Sequence, residues 1–404
     1  MNQNVPDKQV LTAVHLKSSP RGRKAARDIL LIAITADISP EKKVQISRIL
    51  DGPVDWQYLV NLADIHEVAP LIAHNILANG FTDRIPESYT EQLRKIYNTS
   101  LYRNIILSDE LTRVLSIFNR SGISVISLKG IVLAEMLYNN LGLRDISDID
   151  ILVTPDDLPK AGSLLVEMGY KRSTSPSEET HPFHGAPYYK QGAILIHIEL
   201  HWDLEDEKLQ PITGQEIWNR AKRIQLPWGF ALVLSPEDML LFSTIQLYKH
   251  STHLKVLGDI AELLRKYDDV LDWSYLVNTA NSWGITAGVY YALKWAHSLL
   301  EAPIPPSVMK ASKPKAWRRW VLEFLKDEES IVSPIQQEKL EEETSILVHS
   351  LVISQARRMA AVIAKHRGYG KRAVLLRAVF WMIIVFLTAL GRNLARFIIE
   401  KRNR

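Results

Sequence analysis

Leu128-Lys129-Gly130, a short helical run, and then Ser147-Asp148-Ile149-Asp150-Ile151-Leu152-Val153 carry more information than any other part of this chain. Two aspartates one residue apart lead into a β-branched apolar run, which predicts the start of a strand. Alternate strand residues project to one face, so Asp148 and Asp150 point the same way. Paired carboxylates repel unless a cation lies between them, and an oxygen-rich pair suits Mg²⁺.

An Asp-x-Asp pair by itself is common in loops and at helix N-caps, so the reading depends on a third acid. Ile196-His197-Ile198-Glu199-Leu200-His201-Trp202 offers one. In an extended segment His197, Glu199 and His201 share one face while Ile196, Ile198 and Leu200 share the other. If this strand lies beside 148–153, Glu199 completes a site of three carboxylates. Such a site suits phosphoryl or nucleotidyl transfer, with one metal ion escorting a triphosphate and a second activating a hydroxyl. The phosphates also need positive charge and backbone N–H groups. Lys129-Gly130 ends a strand and opens a helix, where amides point at an anion. Arg144 lies shortly before Asp148 and offers a bidentate donor. Lys249 and His250, on one turn of a later helix, are further candidates for the triphosphate, and His201 is a candidate in direct or supporting contact. His181 and His184 read as plain loop histidines.

Bulk composition narrows the field. The 404 residues are enough for two or three domains with real cores. There is no cysteine, which excludes disulfides and thiolate metal sites and leaves Asp, Glu, His and water as metal ligands. A reducing, cytoplasmic setting fits. Met1 to Lys17 lacks the apolar core of a signal peptide. Net charge is +4, but Gln355 to Arg404 holds twelve Lys/Arg against one acid, Glu400. That tail would meet an acidic surface, phospholipid or nucleic acid. Within it the eighteen residues Ala373 to Leu390 are apolar except for Arg377. Core helix, interfacial helix and membrane span all remain open for that stretch.

The chain divides by texture. Residues 1–28 are a basic leader, expected to be flexible. Helical periodicity fills 29–121, with stretches at 29–35, 40–50, 55–79, 87–98 and 99–121. An α/β unit follows over 122–230: a strand at 123–128, a helix at 131–140, the Asp148–Val153 strand, a helix to Met168 and a hairpin around Gln191-Gly192. Ser235-Pro236-Glu237-Asp238 then opens a helical domain over 235–330, with helices at 236–254, 256–267, 272–282, 285–300 and 315–326. Residues 331–404 form a helical basic tail, a candidate for membrane association, and its acidic cluster Glu338 to Glu343 reads as a solvated helix face. The fold class is α+β, a small mixed-sheet core between two helical regions.

The order strand-Lys-Gly-helix, Tyr138, Arg144, Asp148-Ile149-Asp150, Gly169-Tyr170 and Glu199-Leu200-His201-Trp202 resembles the nucleotidyltransferase fold of the DNA polymerase beta superfamily. More narrowly, it resembles a bacterial group described as uncharacterised nucleotidyltransferases. Trp56 and His66-Glu67-Val68-Ala69-Pro70 extend the likeness before the core, and Tyr248-Lys249-His250, Asp259 and Trp273 beyond it, over roughly 30–305. The resemblance implies a metal-dependent transferase moving a nucleoside monophosphate from an NTP such as ATP to an acceptor: a protein, a small molecule or RNA. Asp148, Asp150 and Glu199 would hold Mg²⁺ or Mn²⁺, with Glu199 as base. Lys129-Gly130 stands where the superfamily usually has Gly-Ser or Gly-Gly. A non-catalytic scaffold on the same fold is the competing expectation.

Overall fold

The computed structural model describes residues 19–173, 185–204, 215–227, 229–249, 253–325 and 331–332. Helices come first: α1 (Pro20–Ala33), α2 (Pro40–Leu50), α3 (Trp56–Ile65), α4 (Ala69–Ala78) and α5 (Glu87–Arg120). Ser19 Oγ accepts the Gly22 amide at 3.1 Å, and Pro20 fills the first turn. The first helix therefore begins at Pro20 rather than near Ile29, and takes in the end of the expected leader. Its buried stripe is Ala26, Ile29, Leu30 and Ala33. The stretch expected over 55–79 is two helices, because Glu67 adopts a left-handed φ of 53° and Pro70 opens α4. Conversely, 87–98 and 99–121 merge into one helix, α5, which contains neither Gly nor Pro to interrupt it.

The core follows: β1 (Ile126–Ser127), α6 (Ile131–Tyr138), β2 (Ile149–Leu152), α7 (Leu158–Glu167), β3 (Lys171–Arg172), β4 (Gly185–Gln191), β5 (Leu195–His201), α8 (Gln215–Arg220), β6 (Lys222–Leu226) and β7 (Gly229–Val233). Then come α9 (Pro236–Lys249), α10 (His253–Tyr267), α11 (Trp273–Ser282), α12 (Thr286–Leu300), α13 (Pro306–Ala311) and α14 (Ala316–Leu325). The strands make one mixed sheet in the order β3-β4-β5-β2-β1-β7-β6. The architecture is thus the expected mixed sheet between helical regions. The β6–β7 hairpin was not among the expected strands, although Pro227 and Gly229 mark its turn. Through it the sheet extends to Val233, where β7 runs parallel to β1.

The sheet has a core on each face. Ile149, Ile151, Ile196, Ile198 and Leu200 pack with Leu111, Val114 and Phe118 of α5 and Leu165 of α7. Ile126, Leu128 and Leu152 belong instead to the larger core, shared with Leu257, Ile260 and Leu264 of α10. Alternation along β2 therefore sends Asp150, with Leu152, toward the face of the C-terminal helices. Ile331 and Val332 are buried in that same core. Among the described residues no helix is long and apolar enough to cross a membrane. Residues 333–404 of the tail, which include the acidic cluster at 338–343 and the stretch 373–390, lie outside the described residues, as do His181 and His184.

Candidate active site

β2 and β5 are adjacent and parallel, with Asp150 opposite Glu199 and Leu152 opposite His201. This is the neighbour relation that the third carboxylate required. Asp150, Glu199 and His201 offer ligand atoms that all lie within 4.8 Å of one another. His201 Nε2 is 3.1 Å from Asp150 Oδ1 and 3.3 Å from Glu199 Oε2. Asp148 stands outside this trio. It precedes β2, accepts the Ser147 hydroxyl at 3.1 Å, and joins the site through Lys129. The Lys129 ammonium lies 3.1 Å from Asp150 Oδ1 and 3.9 Å from Asp148 Oδ2. The trio drawn together is thus Asp150, Glu199 and His201, with Asp148 beside it and a lysine between the two aspartates.

Burial makes these charges depend on one another. The Asp150 side chain has no exposed surface, while those of Asp148 and Glu199 are 19% and 36% exposed. Asp150 Oδ1 meets both Lys129 and His201, whereas its Oδ2 is buried with no hydrogen-bond partner. Burial acts against the charged form of His201, but its bonds to Asp150 and Glu199 outweigh that and push it up to about 9. Burial likewise opposes ionisation of Glu199, yet the hydrogen bond and charge of His201 and the charge of Lys129 bring it down to about 2. Lys129 is raised above the usual lysine range by Asp150, Asp148 and Glu199, again against burial.

The remaining candidates divide. Gly130 caps α6 with a φ of 66°, a conformation that disfavours side chains, and packs beneath the carbonyl of Asp148. Arg144 is buried and paired with Asp259 of α10 through Nε at 3.1 Å and Nη2 at 2.8 Å. Tyr138 donates to the same carboxylate at 2.9 Å. The fork of Arg144 thus faces a protein carboxylate and ties the loop before Asp148 to the C-terminal helices. Lys249 ends α9, but its side chain and all of His250 lie outside the described residues. Composition gave no warning of the Asp259 pairing. The local signal was an acid among Leu257, Ile260 and Ala261, on the apolar side of a helix.

A buried oxygen without a partner, on a carboxylate clustered with an imidazole and a second carboxylate, fits a divalent cation on donor chemistry. Two oxygens and one nitrogen are compatible with several metals.

The sequence pattern of the uncharacterised nucleotidyltransferase family matches residues 52–301, and the chain belongs to that family. The crystal structure of an antigenic nucleotidyltransferase-like protein from Paracoccidioides brasiliensis is similar over 50% of this chain and 97% of that one, at 16% identity and a TM-score of 0.32. That likeness is remote, and the family membership rests on the sequence pattern. No curated protein gives a significant match.

Proposed function

We propose that the protein transfers a nucleoside monophosphate from an NTP to an acceptor hydroxyl, with a divalent metal ion held by Asp150, Glu199 and His201, the last as a neutral imidazole whose proton the cation displaces, and bordered by Asp148. The observation that carries this reading is the clustering of Asp150, whose buried Oδ2 is orphaned, with Glu199 and His201 on the sheet face that looks toward the C-terminal helices. A cation bound there would supply charge stabilisation for the triphosphate and acidify the acceptor hydroxyl. The chain's own residues do the rest. Lys129 and the turn at Gly130 offer positive charge and amides to the phosphates. Glu199, the most exposed of the three carboxylates, is the one that an acceptor can approach. At about 2 it is a ligand first and only a weak base. Arg144 positions the Asp148 loop through Asp259. In the transfer the acceptor oxygen bonds to the α-phosphorus, pyrophosphate leaves, and the hydroxyl proton passes to Glu199 or to water.

Kinship with the polymerase beta superfamily and a preference for Mg²⁺ and ATP belong to the same proposal. So does contact of the basic tail with an anionic membrane. One observation favours the scaffold instead. Lys129 and His201 already neutralise much of the carboxylate charge, so the cluster is tolerable without metal. Titration calorimetry with ATP, with and without Mg²⁺, on the full chain and on Asp150→Asn separates the two. The enzyme reading expects binding that needs Mg²⁺ and is lost in the variant; equal binding under all conditions favours the scaffold. Labelled NTPs in cell extract would then reveal the acceptor.

A further inference from the structure

Lys129 occupies an unusual place. Its side chain is only 24% exposed, and its ammonium bridges the carboxylates of Asp148 and Asp150. Asp150 Oδ1 is shared between this ammonium and His201, whereas Oδ2 stays without a partner. Three carboxylates and one ammonium compete in a small volume of low dielectric, where one unit charge at such distances is worth a large factor in affinity. The backbone beside Lys129 turns sharply at Gly130 and enters α6, so the residue that pairs with the acids immediately precedes a helix N-terminus.

We propose that Lys129 is the resident counter-ion of this site: a divalent cation arriving at Asp150, Glu199 and His201 takes over the carboxylate charge that holds the ammonium between Asp148 and Asp150, and the ammonium so released becomes the partner of the incoming triphosphate. The inference rests on the reading of Asp150, Glu199 and His201 as a metal site. It makes metal and nucleotide binding interdependent through one side chain. Metal entry frees the lysine for phosphate, and phosphate keeps the lysine from returning. No bond is made or broken in the exchange; only the partner of the ammonium changes.

The consequence is a pair of effects of opposite sign from one substitution. Lys129→Met keeps an unbranched chain, one atom shorter, and removes the charge. It is expected to bind Mn²⁺ about tenfold more tightly than the unaltered chain, and then to bind inorganic triphosphate about tenfold more weakly with Mn²⁺ saturating. Lys129→Arg, which keeps the charge, should stay within about threefold of the original for Mn²⁺. Bound Mn²⁺ is read from loss of the free-ion electron paramagnetic resonance signal, and triphosphate binding by calorimetry, both on the full chain. Lys129→Gln repeats the measurement if the methionine variant does not fold. Unchanged or weaker Mn²⁺ binding by a folded neutral variant overturns the exchange while leaving the metal site standing. Mn²⁺ binding that is absent from every form, or that survives Asp150→Asn, overturns the metal site itself and the exchange with it.

Discussion

Glu199 and His201 hold each other in their charged forms, and the site's pH behaviour follows from that mutual dependence. His201 is pushed up to about 9 from an ordinary 6.5, so its contribution to stability is complete below 6.5 and is lost as pH rises through 9. Glu199 is brought down to about 2 from 4.5, so its contribution is complete above 4.5 and is lost as pH falls through 2. Both act between 4.5 and 6.5. The melting temperature of the metal-free protein should therefore be highest in that window and decline toward pH 9, and His201→Gln should flatten the alkaline decline. A variant whose alkaline slope matches the original would show that the imidazolium is not held by these acids. The residues themselves were readable: alternation placed Asp148 with Asp150 and Glu199 with His201. What spacing could not show is that a lysine and an imidazolium sit among the acids, since both contacts cross between strands or turns.

Strand, turn and helix between Ser127 and Ile131 hold the Lys129 end of the site. A Cβ added at Gly130 would lie 3.4 Å from the Asp148 carbonyl and from Ile146 Cγ2, in a backbone region with φ of 66°. Gly130→Ala should cost about 1–3 kcal/mol in chemical denaturation and weaken triphosphate binding. An unaltered unfolding midpoint would mean that the turn relaxes freely. Elements with strong periodicity or caps, such as α2, α7 and α12, fell close to their expected ranges. The misses have physical causes. A left-handed Glu67 splits one helix just ahead of Pro70, and apolar periodicity running on through the break hides it. The short, partly exposed β6 and β7 gain their pairing from each other and from β1, so local alternation underrates them.

At the scale of the molecule, the buried pair of Arg144 and Asp259 fastens the core to the C-terminal helices. Removing one partner leaves an uncompensated charge, so Asp259→Ala should destabilise by about 3–5 kcal/mol. A loss below about 1 kcal/mol in urea unfolding would place that join elsewhere. Ile331 and Val332 close the main core, each 1% exposed, and the Val332 carbonyl lies 3.3 Å from His66 Nε2. Ending the chain after Leu325 should therefore cost about 2–5 kcal/mol. Ending it after Ser354 should spare the fold and abolish flotation with anionic vesicles, if the basic tail is what meets them. By itself the sequence determined the type and order of most elements, the mixed sheet between helices, and which acids share a face, because periodicity and alternation are local properties of the chain. Only the tertiary structure decided that His201 joins Asp150 and Glu199, that Lys129 stands between the aspartates, and that Arg144 answers Asp259 instead of open space. Those relations depend on strand order and on packing between residues far apart in sequence, and no local pattern encodes them.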